Sequence, residues 1–121
     1  MTETNAYEDF QAGVALLRAG DVHAAAVALE RARALEPDKG SIRETLGRAY
    51  FRSRRFAEAR EEFEVAVALN PTNDYGHFAL GMSLLRLGEH ATAVGHLKLA
   101  VVMNPSEAHY SRALAVVAGA R

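Results

Sequence analysis

GSIRETLGRAYFRSRRFAEAREEFEVAVALNPTN, residues Gly40 to Asn73, carries two apolar stripes and a closing proline within 34 residues. In its first half Leu46, Gly47, Tyr50 and Phe51 recur three to four apart, and in its second half Phe56, Ala59, Phe63, Ala66 and Val67 do the same. That spacing puts each set on one face of an α-helix. Ser53-Arg54-Arg55 separates the halves. Asn70-Pro71 ends the second, because a residue before proline is pushed out of the helical region. The stretch is therefore a helical hairpin.

The hairpin recurs on both sides. Pro37, Pro71 and Pro105 stand 34 residues apart, and six further columns keep their offset from them. These are Ala12/Leu46/Leu80, Gly13/Gly47/Gly81, Leu16/Tyr50/Leu84, Ala25/Ala59/Ala93, Leu29/Phe63/Leu97 and Ala32/Ala66/Ala100, while Glu36-Pro37 is the first copy's version of the closing Asn-Pro. A period of this length marks a chain of copies, none able to bury its apolar face alone. Glycine inside a helix costs about 1 kcal/mol relative to alanine. Three at one phase predict close approach of a partner helix, with Leu29, Phe63 and Leu97 filling the volume beside them. Ala19-Gly20-Asp21 and Leu87-Gly88-Glu89 read as turns with glycine at a left-handed position, and Ser53-Arg54-Arg55 makes the same turn without it. Asp38, Asn73 and Ser106 are expected caps. After Pro105, Ser106 to about Ala118 reads as one more helix, with Tyr110, Leu114 and Val117 packed inward. It either covers the last hairpin or meets another subunit through its apolar circumference.

These columns resemble the tetratricopeptide repeats. That family has a Leu-Gly pair and an aromatic in the first helix, small-large-small residues in the second and a closing proline. Leu46-Gly47-Tyr50, Ala59, Phe63, Ala66 and Pro71 reproduce it most fully. The copies run from about Ala6 to Lys39, Gly40 to Asn73 and Asp74 to Glu107, so one domain over 1–121 with a capping helix at about 106–118 is expected. The resemblance implies an all-α fold, a right-handed superhelix of three antiparallel helical hairpins with a seventh capping helix. One column departs: where the family often has tryptophan, this chain has Asp9, Arg43 and His77.

Composition fits a compact chain with no demand for a polyanionic partner. Half of the 121 residues are hydrophobic, 24% are charged and the net charge is -1. The absence of cysteine removes disulfides and thiolate metal sites. Met1-Thr2-Glu3-Thr4-Asn5 lacks the segments of a signal peptide, so a cytoplasmic location is expected. Arginine and alanine are abundant while lysine is confined to Lys39 and Lys98, a bias of GC-rich bacterial genomes.

The family resemblance places function on the inner wall of the superhelix, lined by the first helix of each copy. The corresponding positions are Tyr7, Phe10, Val14, Leu17 and Arg18; Ser41, Glu44, Arg48, Phe51 and Arg52; and Tyr75, Phe78, Met82, Leu85 and Arg86, continued by His109 and Arg112. This groove is expected to be apolar at both ends and charged in the middle. Exposed apolar residues in a strip commonly mark an interaction surface. Arg18, Arg52 and Arg86 share the period and could hold a carboxylate by paired hydrogen bonds. Arginine at a helix end equally suits the helix dipole and a solvated edge. The lysine, asparagine and arginine clamp of relatives that bind chaperone carboxyl termini is absent, because Phe10, Val14, Thr45, Tyr75 and Ala79 stand at its positions.

The residues do not support catalysis. His23, His77, His90, His96 and His109 never pair at the spacing that puts two imidazoles on one helix face for a metal. Glu58, Glu61, Glu62 and Glu64 read as the outer side of a helix, paired with arginines such as Arg54 and Arg60. The arginines from Arg43 to Arg60 are interleaved with acids and lack an aromatic stacking platform, which argues against nucleic acid. The reading is a non-enzymatic adaptor or scaffold, without cofactor, that binds a partner segment with apolar anchors and an acidic group. The alternative is a self-assembling structural protein that forms homo-oligomers.

Overall fold

The computed structural model describes residues 4–119; Met1, Thr2 and Glu3, and Ala120 and Arg121, at the two ends of the expected domain, lie outside the described residues. Seven helices follow one another: α1 Ala6–Arg18, α2 Val22–Leu35, α3 Gly40–Arg52, α4 Phe56–Leu69, α5 Asp74–Arg86, α6 His90–Met103 and α7 Ala108–Gly119. No strand occurs among the described residues.

Each odd helix packs on the even helix after it, and each even helix also touches the next odd one. In addition α1 touches α3 and α3 touches α5, so the array is tighter on the side of the first helices. That asymmetry makes α1, α3 and α5 the inner wall.

The glycine column sits where helices cross most closely. A β-carbon on Gly13 would stand 2.5 Å from Leu29 Cγ, one on Gly47 2.7 Å from Phe63 Cε1, and one on Gly81 3.0 Å from Leu97. Leu29, Phe63 and Leu97 are fully buried there, with Ala25, Ala59 and Ala93 beside them. Large and small residues alternate across the crossing, the condition for dense packing.

The turns obey the left-handed requirement. Gly20 and Gly88 have φ of +86° and +81°, and Arg54, at the same phase, has φ +63°. An L side chain in that region carries strain of about 1–2 kcal/mol that glycine avoids. Arg54 keeps company there with Phe56, whose ring centroid lies 5.5 Å from the guanidinium.

Capping differs in part from the expectation. Asn73 caps α5 by accepting from the Gly76 N–H, and Asn5 and Asp21 cap α1 and α2 in the same way. Asp38 does not cap: α3 starts one residue later, after Lys39, with no side-chain cap. Ser106 lies in a turn, donating to Asn104, and α7 begins at Ala108. Its Tyr110 is buried and donates its hydroxyl to Asp74 at 3.0 Å, fastening α7 to α5, while Leu114 and Val117 are half-buried.

The column without tryptophan is filled by polar side chains. Arg43 donates through Nε to the Pro37 carbonyl at 2.8 Å and through Nη1 to Glu62 Oε1 at 3.1 Å. Arg33 takes the other oxygen of Glu62 at 2.7 Å. One copy later, His77 Nε2 lies 2.9 Å from the Pro71 carbonyl and its Nδ1 3.1 Å from Nδ1 of His96. In the first copy Asp9 accepts from Thr4 at 2.8 Å and Arg31 at 3.2 Å, because Ala28 stands where Glu62 and His96 stand in the others. Glu62 is therefore not on the outer side of α4; it is buried, drawn inward by two guanidinium groups that offset its desolvation. Arg54 pairs with no acid among the described residues. Arg55 does so instead, with Glu58 at 2.6 Å, and Arg60 reaches Glu64 at 3.9 Å and Glu89 at 3.3 Å.

Candidate functional site: a cavity on the inner wall

Between α3 and α5 the wall opens into a cavity of about 310 Å³ lined by Arg48, Phe51, Arg52, Phe63, Tyr75, Phe78, Ala79 and Met82. Helical periodicity builds it. Arg48, Phe51 and Arg52 fall on one face of α3 at spacings of three and four, and Tyr75, Phe78, Ala79 and Met82 do so on α5. The walls are aromatic. Tyr75 and Phe78 lie 6.4 Å apart between ring centroids, and Phe78 in turn stacks on Tyr110 of α7 at 4.8 Å. His109 stands edge-on to Phe78 at 5.3 Å, so the cap completes this end of the wall.

The rim is cationic. Arg31, Arg33, Arg43, Arg55 and Arg60 are all paired with carboxylates, whereas Arg18, Arg48, Arg52 and Arg86 of the first helices, and Arg112 of α7, pair with no described acid. Arg48 and Arg52 are exposed. Arg52 also donates through Nη1 to the Leu17 carbonyl near the end of α1 at 3.0 Å. Arg86 lies over Phe51 and Phe56, at 5.8 and 5.4 Å from the ring centroids. Burial pushes the Tyr75 phenol up from its ordinary value, against the opposing charge of Arg48. No protein partner takes that hydroxyl among the described residues, which leaves a neutral hydrogen-bonding group free at the cavity.

The other groove positions divide. Tyr7 and Phe10 border a smaller hollow of about 130 Å³ with Ala6, Glu36, Lys39, Ser41 and Ile42. Tyr7 is 66% exposed, but Phe10 is half-buried against the core. Val14 is half-buried, and Leu85 packs against the core. Leu17 does not line the wall at all: it is 3% exposed and belongs to the core, because α2 and α3 close over it. Nor is the middle of the wall purely charged, since Phe51 and Phe63 line the same cavity as Arg48 and Arg52.

Sequence reasoning missed the polar partners behind the wall. The histidines do not pair along one helix, yet His77 and His96 meet across the third hairpin, with ring centroids 5.4 Å apart. The signal was a second column: Glu62 follows Arg43, and His96 follows His77, by the same 19 residues. No group of three or more potential metal ligands occurs among the described residues. No helix among them is long and apolar enough to cross a membrane.

Comparison with known proteins agrees with this architecture. Two tetratricopeptide repeat family models match, over residues 10–74 and 62–95. No curated protein matches the sequence significantly. Among solved structures, the first repeat domain of Spaghetti (RPAP3), bound to the HSP90 peptide SRMEEVD, superposes with a TM-score of 0.91 at 20% identity, over 95% of this chain and 91% of that one. MamA from Desulfovibrio magneticus RS-1 gives 0.90 at 20% identity, over 93% of this chain and 63% of its own. MamA MSR-1 gives 0.86 at 27% identity, over 94% and 66%. With both helices of every hairpin in place and a family model covering residues 10–74, the chain belongs to the tetratricopeptide repeat family.

Proposed function

We propose that this chain is a non-catalytic adaptor that works as one unit of three repeats, over about residues 6–39, 40–73 and 74–107, in the cytoplasm, and orders a partner's peptide segment on its inner wall. The segment places a bulky apolar side chain against Phe51, Tyr75, Phe78 and Met82, and an acidic group on Arg48 and Arg52. The observation that carries this reading is the juxtaposition of an aromatic cavity with guanidinium groups that pair with no carboxylate among the described residues. In a chain of net charge -1, leaving those arginines unpaired on one wall favours an acidic ligand there. Arginine and aromatic side chains in a desolvated pocket are also where binding energy concentrates. The acidic HSP90 peptide on the Spaghetti domain is a precedent in the fold, reached there by a different protein.

Peptide display on the immobilised chain is the direct test. Enriched sequences should pair a large apolar residue with Asp or Glu, and Arg48→Glu should weaken them at least about tenfold, the equivalent of about 1.4 kcal/mol. Arg48 is exposed and unpaired, so this variant should melt with the parent. Selection of sequences without acids, or undiminished binding by Arg48→Glu, would count against the reading. Phe78→Ala is a poorer probe, since Phe78 also supports Tyr110 and the cap.

A second reading, homo-oligomerisation, draws on the exposed apolar residues Leu99, Val102 and Met103 of α6 and Val116 of α7. Light scattering over a concentration series separates the two: a strictly monomeric chain removes assembly and leaves the adaptor.

A further inference from the structure

The third hairpin is held by two histidines whose hydrogen inventory is constrained. His77 is 7% exposed and His96 is half-buried, and their ring planes lie 18° from parallel with the centroids 5.4 Å apart. His77 Nε2 lies 2.9 Å from the Pro71 carbonyl oxygen, which can only accept, so that nitrogen carries a hydrogen. The two Nδ1 atoms lie 3.1 Å apart, a hydrogen-bond distance that leaves room between them for one hydrogen. In the neutral pair His77 has a bare Nδ1, so His96 supplies that hydrogen. A first added proton changes nothing across the gap, because it can sit on the outward Nε2 of His96. A second would put two N–H groups face to face and two cations 3.1 Å apart.

We propose that the His77–His96 pair is a proton-sensitive latch that holds α5 and α6 together at neutral pH and releases them on acidification. It ties three pieces of chain: the turn at Pro71, α5 and α6. Among the described residues no neighbouring charge is bonded to the pair to rescue the doubly protonated state. The α4 position that corresponds to Arg33 in the preceding corner is Val67, which packs against Gly76. The acid of α5, Asp74, is held by Asn104 and Tyr110, and Glu107 beside α7 faces His109. Glu64 of α4 points to Arg60, Glu44 of α3 accepts from Asn73, Arg48 of α3 faces the cavity, and Lys98 of α6 is exposed. None is bonded to either imidazole. Desolvation, and secondarily the charge of His77, hold His96 below the ordinary histidine range.

The direction of the pH effect follows from proton counts. In the unfolded chain both rings protonate independently near the usual value of about 6.5. The folded pair keeps its bond only with one added proton at most, so below that value the unfolded state binds more protons and stability falls as pH falls. The depressed carboxyl of Asp74, stabilised first by Asn104, loses its contribution only as pH falls through its own lower range, below about 4. The two windows are separate. The latch does not depend on what the inner wall binds.

The test compares the chain with a His77→Gln/His96→Asn double variant, whose amides can keep both hydrogen bonds without titrating. The parent's melting temperature should drop by about 4 °C or more between about pH 7.5 and pH 5, and the double variant's should stay nearly level. Equal slopes for the two proteins would overturn the proposal. Should the variant fail to fold, nitrogen-15 spectra of the parent's imidazoles decide: at neutral pH His77 should be the Nε2–H tautomer and His96 the Nδ1–H tautomer, exchanging together on acidification. Two Nε2–H rings titrating independently would equally overturn it.

Discussion

A methyl group separates glycine from alanine, and at Gly47 there is no room for it. The added carbon would meet Phe63 Cε1 at 2.7 Å, and Phe63, 1% exposed, has nowhere to turn. Gly47→Ala should therefore destabilise the chain by about 1–3 kcal/mol, the cost of overpacking, read from urea denaturation. Gly95 supplies the opposite case. It lies inside α6 with nothing within 4 Å of its added carbon. Gly95→Ala should stabilise by about 0.5–1 kcal/mol, because it restricts the unfolded backbone and strains nothing. If both substitutions moved stability the same way, helix crossing would not be what holds the glycine column. The column was legible in the sequence because glycine in a helix interior demands a reason. The left-handed turn at Arg54 was legible only by phase with Gly20 and Gly88, since the residue itself disguises it.

At the scale of elements, the corners between helices carry the polar chemistry of this protein. Glu62 joins α4 to Arg43 on α3 and to Arg33 on α2, linking two repeats through one buried carboxylate. Removing it leaves two guanidinium groups without their partner, one with a side chain 17% exposed and the other 32%. Glu62→Ala should cost about 3 kcal/mol, the lower end for a broken buried pair because water can reach both arginines. Calorimetry would measure it, and a loss of a few tenths would mean the triad is only a surface contact. Spacing within one helix gave no sign of this; only the 19-residue offset shared with the His77–His96 pair carried it. A glutamate among glutamates reads as solvated, and which of them faces inward depends on where Arg33 and Arg43 arrive from neighbouring helices. The same holds for His77 and His96, which no spacing along a single helix brings together.

At the scale of the molecule, stacking turns a one-dimensional period into a wall with an inside. Contacts among α1, α3 and α5 close the array on one side and set Arg48, Phe51 and Arg52 opposite Tyr75, Phe78 and Met82. Binding there should depend on ionic strength, since the rim charges are exposed and screened over about 10 Å at 0.1 M salt. The sequence by itself determined the helices, their hairpin order, the turns, the glycine crossings and the family, because each rests on local spacing repeated at 34 residues. Most side chains of the cavity stand at positions that the family resemblance assigns to the inner wall. Tertiary structure decided what depends on two helices meeting. It buried Leu17, drew Glu62 inward, filled the tryptophan corner with ion pairs and histidines, and left Arg48 and Arg52 without an acid among the described residues while Arg33 and Arg43 found one. The physical reason is one of distance: spacing within a helix orients a side chain, but only packing brings its partner to hydrogen-bonding range.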